Sequence, residues 1–322
     1  MIAQRPLSWF LTDTGRKFSF TALTAFGIGA TAFKFGPNTV FLYKYKEIIH
    51  YYRDGKPAEL PSELQNRVKK CLELLKMPEQ HQKLIQPFSV FGFDLFHAGS
   101  IKSKYGAAIG IPVNFTYKSM ADIDKEGIKV SQKSVDWNSE TGKKLSEALL
   151  LTEEEQEFAL CREILSTNNS KLFLQSAYPC SCVLMAYMLS QNINRRMNLY
   201  VGPVGLRVVI YSLISLFTVG LYFFLHDYTE VFYETAVDQD LCEIDPKFIE
   251  TGVSFYDKML KRNQALRELM GAEGANLYSV KGNENFLLRQ PRIALVHRKQ
   301  FFEHKLAESK GLSTTFKLLQ GY

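Results

Sequence analysis

No H-E-x-x-H occurs in this sequence, and its six histidines (His50, His81, His97, His226, His297 and His304) never recur at metal-ligand spacing. That excludes the usual zinc site carried on one helix. The five cysteines, Cys71, Cys161, Cys180, Cys182 and Cys242, are scattered and odd in number. They give neither a zinc finger nor a disulfide framework. No run of Lys and Arg is interleaved with aromatics, so no nucleic-acid partner is expected. Internal repeats and low-complexity tracts are missing as well. Mean hydropathy is close to neutral, which excludes a transporter of many spans.

What is present is a chain of 322 residues with a net charge of +6, long enough for a sizeable core. Its apolar residues are concentrated. Val208 to Leu225 is uncharged throughout, close to the length that crosses a hydrocarbon core. Leu172 to Ile193 is uncharged but more polar, and Pro179 should kink it. Beside the next run it reads as the first arm of a helical hairpin. Phe18 to Phe33 is a third run, bounded by Arg16, Lys17 and Lys34. It reads as an uncleaved span, with a cleaved signal peptide as the rival. Gly27 and Gly29 would let another helix approach it closely. Cys180 and Cys182 form a C-x-C inside the apolar hairpin; buried thiols are the plain reading and copper binding the alternative.

Charge sets an orientation. The hairpin turn carries Arg195, Arg196 and Arg207 and no acid, and the leader carries Arg5, Arg16 and Lys17 against Asp13. Both belong on the positive-inside face, with the remaining soluble parts on the other side. The leader is also basic and poor in acids, like a mitochondrial targeting segment. The expected organisation is a basic leader (1–17), a transmembrane helix (18–36) and a soluble α+β region (37–171). A second transmembrane helix (172–193), a basic turn (194–207) and a third (208–225) follow. A helical soluble region (226–285) and a basic tail (286–322) complete the chain. The tail reads as a solvated arm, with a partner-docking segment as the alternative.

In the soluble parts, Pro61 to Met77 has apolar residues at helical spacing. Pro87 to Phe96 and Ala107 to Phe115 suggest strands, and Ile128 to Trp137 a weaker strand or loop. Thr152 with Glu155 forms a capping box that opens a helix to Thr167. Thr229 to Cys242 and Pro246 to Met270 read as two more helices. Asn114-Phe115-Thr116 and Asn168-Asn169-Ser170 are formal glycosylation sequons. The fold class is therefore α+β and mostly helical: a membrane protein with about three transmembrane helices and a soluble domain.

One constellation nearly makes a peptidase. Membrane zinc peptidases of the CAAX-prenyl-endopeptidase and HtpX types place H-E-x-x-H on a helix, then a membrane hairpin, then E-x-x-x-D. This chain has the layout, with Arg162, Glu163 and Ser166 before the hairpin and Glu234 and Asp238 after it. The resemblance implies a degenerate zincin-like fold. Arg162 and Ser166 stand where the two His ligands belong; a guanidinium cannot bind zinc and serine binds it poorly. Glu163 would then be a general base with no metal-bound water to activate. Arg162 is expected to pair with Glu234, replacing the metal charge by a salt bridge. A membrane metallopeptidase-like protein with a residual or regulatory role is the alternative function. No catalytic, cofactor-binding or metal-binding residue is expected to be intact.

A second resemblance covers roughly residues 60 to 285. It rests on Gly110-Ile111-Pro112, Val135-Asp136-Trp137 with Ser139 and Gly142, and Phe158-Ala159-Leu160 with Arg162-Glu163. Gly202-Pro203, Gly252-Val253 with Phe255-Tyr256 and Lys258, and Asn263 with Ala265-Leu266-Arg267 continue it, and Leu277-Tyr278 with Gly282-Asn283 close it. In order and spacing these patches resemble the transmembrane protein 177 family. The resemblance implies a multi-pass protein of the mitochondrial inner membrane whose soluble regions face the intermembrane space. It implies a non-enzymatic role in cytochrome c oxidase assembly, with newly made subunit 2, its membrane chaperone and Sco-type copper-delivery proteins as partners.

Overall fold

Local sequence sets the helix starts. Thr12 accepts a hydrogen bond from the Gly15 N–H at 3.2 Å, and Asp13 sits in the first turn, where the helix dipole favours an acid. In this computed structural model, which describes Trp9 and residues 12–53 and 55–311, the helices run in the order α1 (Asp13–Phe35), α2 (Leu42–Ile49), α3 (Ser62–Leu74), α4 (Glu79–Gln82), α5 (Glu140–Leu149) and α6 (Glu153–Thr167). They continue with α7 (Lys171–Arg196), α8 (Val204–Ile244), α9 (Lys247–Met270), α10 (Ala272–Leu277) and α11 (Leu295–Ser309). The strands are β1 (Tyr52–Arg53), β2 (Lys56–Pro57), β3 (Ile85–Val90), β4 (Phe96–Ser100), β5 (Gly106–Pro112), β6 (Lys129–Val130) and β7 (Lys133–Ser134). The start of the basic leader, with Arg5, and the end of the basic tail lie outside the described residues.

The chain forms two compact units. One comprises the residues up to Val40 together with Ser170–Glu230; the other comprises Phe41–Asn169 and the residues from Val231 onward. In the first, α1 packs along α7. A Cβ at Gly27 would come within 3.2 Å of the Cys180 Cα, whereas one at Gly29 would meet nothing. Of the two glycines expected to admit a neighbour, only Gly27 does so among the described residues. The ring pairs Phe20–Tyr187 and Phe35–Phe173 lie along the same seam. Helices α1, α7 and α8 are each long and apolar enough to cross a membrane. Helix α7 runs through Pro179 from Lys171 to Arg196. The apolar run to Leu225 and the helix expected from Thr229 are one continuous helix, because no breaker lies between them.

The second unit has a three-stranded sheet in the order β3-β5-β4, with β5 parallel to β3 and antiparallel to β4. The strand expected over Pro87 to Phe96 is divided. Gly92 at φ +105° turns the chain between β3 and β4, a region open mainly to glycine. The weak strand expected near Ile128 is the short β6–β7 pair. Helix α5, capped by Ser139, went unanticipated. Helix α6 is buried along most of its length, and its capping box is present. Glu155 also accepts from Ser254 at 2.9 Å and pairs with Lys258 at 2.6 Å, which ties the start of α6 to α9.

The solvated-tail expectation is overturned from Leu295 to Ser309. These residues form α11, which packs on α9. Phe302 is fully buried, with its ring 5.4 Å from that of Phe158. The reason lies in α9: a Cβ at Gly252 would come within 2.7 Å of the Phe302 ring, so glycine makes room for it.

Candidate functional site

The five positions of the peptidase-like pattern fall in the second unit, Arg162, Glu163 and Ser166 on α6 and Glu234 and Asp238 on the part of α8 that follows Glu230. Three residues outside that pattern join them: His97 from β4, Tyr256 from α9 and Arg298 from α11.

Glu163 is buried and is held by His97 Nδ1 at 2.6 Å and Arg162 Nη2 at 3.3 Å. Burial pushes its pKa up, but His97 and Arg162 outweigh burial and hold it at about 2. The Arg162 guanidinium also lies over the Phe255 ring at 5.5 Å and interacts with the Tyr256 phenol. Ser166 donates its hydroxyl proton to the Arg162 carbonyl at 2.9 Å, a bond within its own helix.

On α8, Asp238 receives Arg298 through two hydrogen bonds, from Nε at 2.8 Å and Nη2 at 2.7 Å. This fork-on-carboxylate geometry gives the strongest class of protein ion pair. Tyr256 donates to the same carboxylate at 3.3 Å, and its ring lies 5.1 Å beneath the Arg298 guanidinium. Burial raises the Tyr256 pKa to about 12, so the phenol keeps its proton. Burial opposes the charge on Arg298, but Tyr256, Asp238 and Glu234 outweigh it and raise its pKa. Glu234 stands 3.8 Å from Arg298 and accepts the Ile293 N–H at 2.9 Å.

The expected Arg162–Glu234 pair is therefore not formed. Arg162 turns to the residue beside it, and Arg298 takes the carboxylates of α8. The residues do not fit a zinc ion: among the described residues no three His, Cys, Asp or Glu side chains converge as ligands. The void against Arg162, bordered by Asn114, Phe255 and Arg262, measures about 20 Å³. That is room for a single water and not for a substrate. A larger cavity of about 290 Å³ lies at the start of α6. The cations that line it are engaged, Lys118 with Glu63 at 2.8 Å and Arg67 with Glu153 at 3.1 Å.

The other sequence candidates fall elsewhere. Cys180 and Cys182 are two positions apart on α7, so they project about 200° apart around its axis and cannot close on one ion together. Asn114 is buried, which removes the first sequon from any modifying enzyme.

The family model described as Transmembrane protein 177 matches residues 56–290. The chain is 27% identical to Transmembrane protein 177 of Xenopus laevis over 312 residues, covering 94% of this chain and 98% of the relative. It is 32% identical to the protein of that name from Rattus norvegicus over 238 residues, 73% of this chain and 75% of the relative. The Homo sapiens protein is 29% identical over 236 residues, with 73% and 75% covered. No solved structure matches the chain.

Proposed function

Because this chain belongs to the transmembrane protein 177 family, we propose that it is a non-enzymatic assembly or stabilising factor for cytochrome c oxidase. It would reside in the mitochondrial inner membrane and act on newly made subunit 2 and its membrane chaperone, with Sco-type copper-delivery proteins meeting the same intermediate. The observation that carries the non-enzymatic part is Arg298 on Asp238. Where a peptidase of this layout needs the Glu234 carboxylate to face a metal, Glu234 accepts the Ile293 N–H and has Arg298 at 3.8 Å, and that arginine from α11 closes on the neighbouring Asp238 through two hydrogen bonds. The three apolar helices support a multi-pass membrane protein, and the basic turn with its three arginines supports placing that turn on the matrix side.

The test is purification of the tagged full-length chain from mitochondria in mild detergent, with identification of what comes with it. Recovery of oxidase subunit 2 together with its chaperone is the expected result. Recovery of neither from intact mitochondrial protein overturns the proposal.

A further inference from the structure

Two arginines of the first unit converge on one aromatic ring. Arg16 near the start of α1 and Arg207 near the start of α8 lie over Tyr200, at 5.7 Å and 6.0 Å from its centroid. The ring is held in place from behind. Its hydroxyl donates to Gln191 Oε1 at 2.9 Å and accepts from Asn194 Nδ2 at 3.3 Å. Asn194 is fully buried and also donates to the Tyr211 hydroxyl at 2.5 Å.

Among the described residues no carboxylate neutralises either arginine. Both are half-buried, and the Nε of each is closed off from solvent without an acceptor. Neither forms an ion pair with any described carboxylate, and the segment from Asn194 to Arg207 contains no acid. Two partly desolvated like charges on one ring repel each other and lose hydration, so the arrangement calls for an anion. The guanidinium fork suits the oxygens of a phosphate. Apolar residues flank both arginines and are exposed, Phe18 and Phe20 on α1 and Leu206, Val208 and Val209 on α8. A free phosphate has no use for such surface, whereas acyl chains do.

We propose that Arg16 and Arg207, set about Tyr200, bind the headgroup phosphate of an anionic phospholipid. Basic sites between helix ends on the positive-inside face are suited to such headgroups.

The full-length protein in phosphatidylcholine nanodiscs is titrated with phosphatidylglycerol, and bound lipid is counted by native mass spectrometry. Inorganic phosphate forms a separate arm. The expected result is saturable retention of phosphatidylglycerol, weakened at least about tenfold in the Arg16→Gln/Arg207→Gln variant, as loss of charge-assisted hydrogen bonds implies. The Lys17→Gln/Arg195→Gln variant removes the same net charge and is expected to retain the lipid. Equal weakening in both variants means general charge attraction and overturns the proposal. So does displacement of the lipid by inorganic phosphate at equal concentration. If the double glutamine variant does not fold, Arg16→Gln and Arg207→Gln are measured singly, and unchanged binding in both overturns it.

Discussion

Removing Arg298 would strand Asp238, which is buried and would keep only the Tyr256 hydroxyl. Breaking a buried pair from one side costs about 3–5 kcal/mol. Arg298→Ala is therefore expected to lower the melting temperature of the purified full-length protein sharply. Arg298→Met combined with Asp238→Leu should recover most of the loss, since no lone charge remains. Arg162→Ala should cost less, because Glu163 keeps His97. The reverse ranking of Arg162 and Arg298 would refute the pairing described above. Glu163 adds a pH dependence. Its folded pKa of about 2 lies below the ordinary 4.5, so its contribution is fully present above pH 4.5. It is lost as the pH falls toward 2, because the unfolded chain then binds the proton first. The contribution is on the order of 3 kcal/mol. The stability gap between wild type and Glu163→Gln should close as the pH falls from 4.5 toward 2; a gap unchanged down to pH 2 would count against the Glu163–His97 pair.

Helix α11 depends on a fit between two elements. Phe302 fills the space that Gly252 leaves beside Phe158. Phe302→Ala should cost about 3–5 kcal/mol through the cavity it opens, read as earlier thermal unfolding and faster cleavage by trypsin near Lys299. Gly252→Ala attacks the same seam from the other side. Its Cβ would press on a ring with no room to retreat, for about 1–3 kcal/mol. Were neither change to alter trypsin sensitivity, α11 would not be docked in solution. The helix was illegible in the sequence for a physical reason. Leu295, Val296, Phe301, Phe302 and Leu306 alternate with charged residues, and the surface they need lies on α9. By contrast, the capping box of α6 was legible because Thr152 and Glu155 meet within one turn.

For the whole molecule, the proposed orientation makes a statement about sides. With the basic turn in the matrix, a C-terminal tag should resist protease in intact mitochondria and be digested once the outer membrane is ruptured. A tag inserted between residues 198 and 202 should resist in both states. A C-terminal tag that survives rupture would reverse the orientation. The chain should also remain in the membrane pellet at alkaline pH, as three apolar helices require.

The sequence by itself determined the three membrane-length helices, the start of α6 and the lack of a histidine pair. These depend on hydropathy and hydrogen bonds within a turn or two, so neighbours in the chain decide them. Only the tertiary structure decided which cation meets which carboxylate. His97 and Glu163 are 66 residues apart, and Asp238 and Arg298 are 60 apart. An ion pair follows distance through space and shared burial, and the E-x-x-x-D spacing on α8 carries no record of the arginine that α11 brings to it.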